Sequence, residues 1–272
     1  MQIDDPNSPE FASWRSYRKF SRAVRRERRF VWKQEVTAFL DTVLTTIQNR
    51  DLTIPAGSIF YRAQHGIEYR ENEDRVDVVA YGRKRMKPLT DRAREGRANP
   101  AGISMLYLAS SEQTAISEVR PWIGSELSVA QLQVTGDVKV INLSLGHGQE
   151  SFVNIFLAEH LGKKPISREK KEEAVWMDID NAFSRPVTHS DDTADYVPTQ
   201  ILAELFRDTG YDGLVYRSQF GEAGYNICLF DIGSAEVINA APYQVTGIDV
   251  KFEEVGSRWF WNKNYNKKKG DA

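Results

Sequence analysis

Six short apolar runs limit what this chain can fold into. They are SIFYRAQ (58–64), MLYLA (105–109), LSVAQLQV (127–134), VKVINLS (138–144), YDGLVYRSQ (211–219) and YNICLFD (225–231). Each has the length of a strand and is bounded by turn-forming residues, so β-strands are expected. Helical segments do not alternate regularly with them. A doubly wound parallel sheet is therefore disfavoured, and an α+β domain of short strands and scattered helices is expected. The 272 residues suffice for one large domain, or for one domain with extensions.

Helices are predicted around these strands. In WRSYRKFSRAVRRERRFVWK (14–33), Trp14, Tyr17, Phe20, Val24 and Val31 recur at helical spacing, and EVTAFLDTVLTTIQNR (35–50) continues the pattern. SFVNIFLAEHL (151–161) reads as a helix. So does PTQILAELFRDTG (198–210), with proline at its start and Gly210 at its end. LTIPAGS (52–58) reads as a boundary, 67–97 as a long irregular surface excursion, and 184–195 as loop. The tail is expected to dock through Trp259, Phe260 and Trp261 and then to fray. The basic face of 14–33 suits a nucleic-acid or partner contact. The plainer reading, a solvated face on a helix packed against the main domain, is preferred because the net charge is only −2.

Several chemistries lack their motifs. No G-x-G-x-x-G follows a strand, and neither G-x-x-x-x-G-K-[ST] nor G-x-S-x-G occurs. His65, His147, His160, His189 and the single cysteine show no metal-ligand spacing, so no metal is expected, and GHG (146–148) reads as a turn. Cys228 sits inside an apolar strand and reads as inert packing; one cysteine also suits a reducing, cytoplasmic setting. The N-terminus lacks the apolar core of a secretory signal, and no run has the length of a membrane span.

Four polar residues stand out in apolar settings. Arg62 shares one strand face with Phe60 and Gln64, where a planar guanidinium suits either an anion or a structural ion pair. Tyr107, in MLYLA, offers a ring for stacking and a hydroxyl that needs a partner if buried. Ser110 or Ser111 can cap a helix that ends near Arg120, because Pro121 disfavours helix at the residue before it. Glu118 then lies at the C-terminal end of that helix, where a carboxylate opposes the macrodipole. Ser218 ends a short strand and, alone, reads as the start of a turn.

Taken together, FYRA (60–63), GRANPAGISMLYLASSEQTAISEVRP (96–121) and GYDGLVYRSQFGEAGYNICLFD (210–231) resemble the RES domain, in order and spacing, over roughly residues 56–240. The family's arginine, tyrosine, glutamate and serine fall on Arg62, Tyr107, Glu118 and Ser218. The resemblance implies an ADP-ribosyltransferase-like fold, a split and mostly antiparallel β core with flanking helices. It also implies a cytoplasmic toxin that degrades NAD as substrate, without a further cofactor, and that pairs with an Xre-type antitoxin. Arg62, Tyr107 and Ser218 would hold NAD, with Arg97 and Asn226 shaping the cleft. The expected organisation is a helical N-terminal extension (1–55), the RES domain (56–240), and a C-terminal strand with an aromatic and basic tail (241–272). Protein ADP-ribosylation on the same scaffold is the first alternative. A nucleic-acid-binding regulator acting through 14–33 is the second, although direct nucleic-acid contact is not expected. An inactive scaffold is the third, and a homo-oligomer is left open.

Overall fold

In a computed structural model, residues 9–73, 75–90, 92–145, 166–185, 193–220, 224–250, 252, 254 and 256 are described. The GHG turn, the 151–161 segment, His147, His160, His189 and the tail aromatics Trp259, Phe260 and Trp261 lie outside them.

The main sheet contains β1 (Asp51–Ile54), β2 (Ile59–His65), β5 (Leu106–Ala109), β6 (Glu126–Val134), β7 (Val138–Asn142), β8 (Gly213–Arg217), β9 (Tyr225–Leu229) and β10 (Ala235–Gln244). Their order is β1-β7-β8-β9-β5-β2-β6-β10. Among the described residues only β7 and β8 run parallel in this sheet; its other pairings are antiparallel. β2 pairs with β6 along its whole length, from Ile59 to His65. Its register with β5 consists of the single pair Tyr61↔Ala109. The sheet is thus split there into β1-β7-β8-β9-β5 and β2-β6-β10, and the α+β class with a split, mostly antiparallel core is what the chain adopts.

Period-two alternation gives the sheet two apolar faces. Leu214, Tyr216 and Cys228 point to one face, Val215, Ile227 and Leu229 to the other. The first face is covered by α1 (Ser16–Arg26), α2 (Gln34–Thr46), α5 (Arg168–Ser184) and α6 (Val197–Asp208). Tyr17, Phe20 and Val24 of α1 and Val36, Phe39 and Val43 of α2 join the same core as Trp176, Phe183 and Phe206. Phe20 stacks on Phe39 with centroids 4.6 Å apart, and Trp176 Nε1 donates to Thr46 Oγ1 at 3.0 Å. The basic side of α1 is partly spent on ion pairs, Arg18 with Asp178 at 3.3 Å and Arg25 with Asp195.

Some local readings change. The first helix stops at Arg26, so Val31 leaves the apolar stripe and is 72% exposed in the connection to α2. Leu52–Ile54, read as boundary, forms β1 against β7. The excursion at 67–97 contains an antiparallel pair, β3 (Glu68–Asn72) with β4 (Arg75–Val79), and the short α3 (Arg83–Met86). Helix α5 was not foreseen, because its first six residues, REKKEE, are all charged and its apolar face begins only at Ala174.

One glycine is required by close backbone approach. A Cβ on Gly213 would lie 2.3 Å from the Cys228 carbonyl oxygen in the middle of the sheet. Gly213→Ala is expected to destabilise the fold by about 1–3 kcal/mol, lowering the melting temperature by several degrees. A melting curve superimposable on the parent's contradicts this.

Candidate active site

The cleft opens where the two halves of the sheet part. Its volume is about 350 Å³, and Arg62, Arg97, Tyr107, Glu118, Tyr216 and Asn226 are among the residues lining it. That is at the small end of ligand pockets, roughly 300–1,000 Å³.

Helix α4 (Glu112–Glu118) delivers the carboxylate. Ser111 is its N-cap, accepting from the Thr114 amide at 3.1 Å. Ser110 instead accepts from the Tyr225 amide at 3.0 Å, tying the strand–helix corner to β9. The β9 end comes close because Gly224 has no side chain: a Cβ there would sit 2.2 Å from Thr114 Oγ1. Glu118 is the last residue of the helix. Its Oε1 accepts from Ser218 Oγ at 2.7 Å and from Asn226 Nδ2 at 2.5 Å. Both bonds end on the same oxygen. Among the described residues no donor meets Oε2, which is left to accept from whatever enters the cleft.

Ser218 is buried and is not among the side chains lining the cleft. Its hydroxyl also accepts from the Phe220 amide at 3.0 Å, so it joins Glu118 to the β8–β9 connection. Asn226 is 5% exposed, and its amide is committed to Glu118.

Arg62 reaches across the split. Its Nη1 donates to the Tyr107 carbonyl at 2.9 Å, on the strand that here parts from β2. Its Nε is buried and, among the described residues, has no hydrogen-bond partner. Among the described residues no carboxylate pairs with it. Burial pulls the guanidinium below its usual pKa, yet arginine stays charged. A half-buried cation that faces a cleft without a carboxylate partner calls for an anion.

The Tyr107 hydroxyl is already occupied. It donates to Asn99 Oδ1 at 2.7 Å and accepts from the Ala98 amide at 3.0 Å. Burial raises its pKa well above the ordinary phenol value, so it remains a neutral donor. Asn99 in turn donates to the carbonyls of Arg94, Pro100 and Ile103. Gln200 of α6 donates to the carbonyls of Gly96 and Asn99, both at 3.0 Å. This network holds the loop carrying Arg97, which donates to the Phe183 carbonyl with its guanidinium 5.9 Å from the Tyr216 ring centroid.

Past the helix, Arg120 takes φ 49°, the only positive φ at a non-glycine among the described residues. This is the position where helices usually place glycine, and a side chain there costs about 1–2 kcal/mol. The exposed Arg120 guanidinium lies 5.3 Å from the Phe220 ring centroid.

All six residues singled out in the sequence therefore meet. Arg62, Arg97, Tyr107, Glu118 and Asn226 line the cleft, and Ser218 stands behind Glu118. Tyr61, Tyr196 and Tyr216 also line it and were not foreseen. Tyr216 shares its strand face with Ser218, two positions on, a signal that was available. Tyr196 falls between the segment read as loop (184–195) and the helix read from Pro198, and gave none. The Cys228 thiol is pushed up by burial, in keeping with inert packing.

Fold and cleft define an α+β protein whose split sheet presents a tethered carboxylate beside an unpaired arginine. The RES domain family model matches residues 73–252, well over half of the chain, and the chain belongs to the RES domain family. Five of the six residues fall inside the match; Arg62 lies upstream of it. Among solved structures, the chain is similar to one titled as the M. tuberculosis MbcT–MbcA toxin–antitoxin complex. Identity is 14%, coverage is 74% of this chain and 92% of that one, and the TM-score is 0.38. Comparison with curated proteins gave no match.

Proposed function

We propose that this protein is a RES-domain toxin that depletes NAD by breaking the bond between nicotinamide and ribose, with growth arrest as the result. One observation carries the reading: Glu118 is fixed through one carboxylate oxygen, and the other is left to a cleft that also holds an unpaired, half-buried arginine. The C–N bond breaks toward nicotinamide, which leaves as a neutral molecule with the bonding electrons. Positive charge develops at the anomeric carbon, as in glycoside cleavage. Catalysis of this kind is orientation and electrostatics rather than acid chemistry. Glu118 Oε2 holds a ribose hydroxyl and stabilises that charge. Arg62 binds the pyrophosphate or the adjoining ribose. The faces of Tyr107 and Tyr216 flank the nicotinamide. Asn226 and Ser218 keep Glu118 in place. Water, or a phosphate oxygen, adds to the anomeric carbon; in hydrolysis the water proton goes to solvent.

Residues 56–240 are the catalytic unit in this reading, with the N-terminal helices packed on it and an Xre-type protein as antitoxin. No described helix is long and apolar enough to cross a membrane, and the cytoplasmic NAD pool is the target. The test is induction in a bacterium with cellular NAD followed alongside growth. NAD is expected to fall before growth stops, and Glu118→Gln to abolish both effects. Growth arrest with NAD intact contradicts the reading. Label transferred from NAD to protein would instead favour ADP-ribosylation on this scaffold.

Gly96 offers a milder perturbation. A Cβ there would lie 2.7 Å from the Tyr107 hydroxyl and 2.9 Å from Asn99 Oδ1. Gly96→Ala is expected to displace the tyrosine, lower kcat/KM for NAD about tenfold, and destabilise the fold by about 1–3 kcal/mol. Parent kinetics from the variant would contradict a positioning role for this network.

A further inference from the structure

We propose that Arg120 is a specificity-determining residue that engages a phosphate of the substrate at the rim of the cleft, a second anion contact beside Arg62. The assignment rests on the reading of the cleft as an NAD site. It starts from a local cost. Helix α4 ends at Glu118 with Val119 as its C-cap, and Arg120 then adopts φ 49° and donates its amide to the Ser117 carbonyl. Glycine satisfies that geometry without strain. Keeping a long cationic side chain there is reasonable only if the side chain has work to do.

Its surroundings say what that work is. Arg120 lies two residues past Glu118, and its guanidinium sits over Phe220. The Phe220 amide is bound by Ser218 Oγ, which donates to Glu118. The cation is thus held across the same gap between α4 and the β8–β9 connection that the Glu118–Ser218 bond closes. It is exposed, and among the described residues no carboxylate pairs with it. Arg120 directly follows Val119, which lines the cleft together with Arg62 and Arg97; among the described residues the acidic side chain lining it is Glu118, which already accepts two hydrogen bonds. A cavity of about 350 Å³ encloses only part of a dinucleotide, so the remainder crosses the rim. A planar guanidinium matches the paired oxygens of a phosphate there.

The competing role is a clamp that merely closes the connection through the Phe220 ring. Arg120→Gly separates the two, because glycine relieves the backbone strain while removing the cation. The experiment measures NAD cleavage by the full chain, with inorganic pyrophosphate and nicotinamide as inhibitors. The proposal expects KM for NAD and the inhibition constant of pyrophosphate each to rise about tenfold in Arg120→Gly. It expects kcat and the nicotinamide inhibition constant to stay within twofold, and the melting temperature not to fall. Arg120→Lys should recover part of the loss. Three outcomes overturn the assignment: unchanged constants in Arg120→Gly, a parallel loss for pyrophosphate and nicotinamide, or a parent enzyme insensitive to pyrophosphate. A parent protein that releases no nicotinamide from NAD removes the NAD reading itself, and this assignment with it.

Discussion

Glu118→Gln is expected to lower NAD turnover by about 100- to 1,000-fold, the scale seen when one preorganised electrostatic contact to a transition state is removed. The glutamine carbonyl can still accept from Ser218 and Asn226, so the site keeps its shape and loses its charge. Glu118→Ala should lose as much activity but is the poorer probe. It strands the Asn226 amide, which is 5% exposed and donates to Glu118. An unsatisfied buried donor costs about 1–3 kcal/mol. The glutamine variant should therefore melt with the parent, and the alanine variant a few degrees below it. Steady-state kinetics and a thermal melt on the same samples check both statements. A glutamine variant that turns over NAD at the parent rate removes Glu118 from the mechanism.

Arg62→Ala is expected to raise KM for NAD by about 10- to 100-fold, since a hydrogen-bonded contact to a charged group is worth about 1.5–3 kcal/mol and each 1.4 kcal/mol is a factor of ten. A fall in kcat should accompany it. The reason is structural: Arg62 also supplies the donor to the Tyr107 carbonyl across the split in the sheet. Losing it frees both sides of the cleft, β5 as well as β2. Arg62→Lys keeps the charge but not the fork, and should restore part of the affinity and little of the geometry. An unchanged KM in Arg62→Ala would count against an anion-binding role.

The strands were legible because their side chains alternate and their ends carry turn residues; β2, β5, β6, β8 and β9 lie where their apolar runs lie. Helix α6 was legible from Pro198 and Gly210, which bracket it. Helix α5 was hidden by its charged first half, and the β3–β4 pair by a composition that suits an exposed ribbon as well as a loop. The first helix was overextended because Val31 fits the spacing of the stripe while lying beyond the helix end. At the site, residue types and family spacing gave the six candidates, but not their division of labour. Only three-dimensional proximity, with a separation of 100 residues in sequence, shows that Ser218 serves Glu118. The same holds for Asn226. The Tyr107 hydroxyl likewise could not be assigned to Asn99 from sequence, although both lie in the same matched block.

The strand–helix corner at 99–121 thus has a definite purpose. Its first part, around Asn99, fixes the Tyr107 ring, and Ser111 caps the helix that ends on Glu118. The account predicts that purified protein incubated with NAD releases nicotinamide. Mass spectrometry of the products should find ADP-ribose in phosphate-free buffer, or its phosphorylated counterpart when phosphate is supplied, in amounts matching the nicotinamide. NAD recovered intact, or split at the pyrophosphate into two mononucleotides, would contradict it.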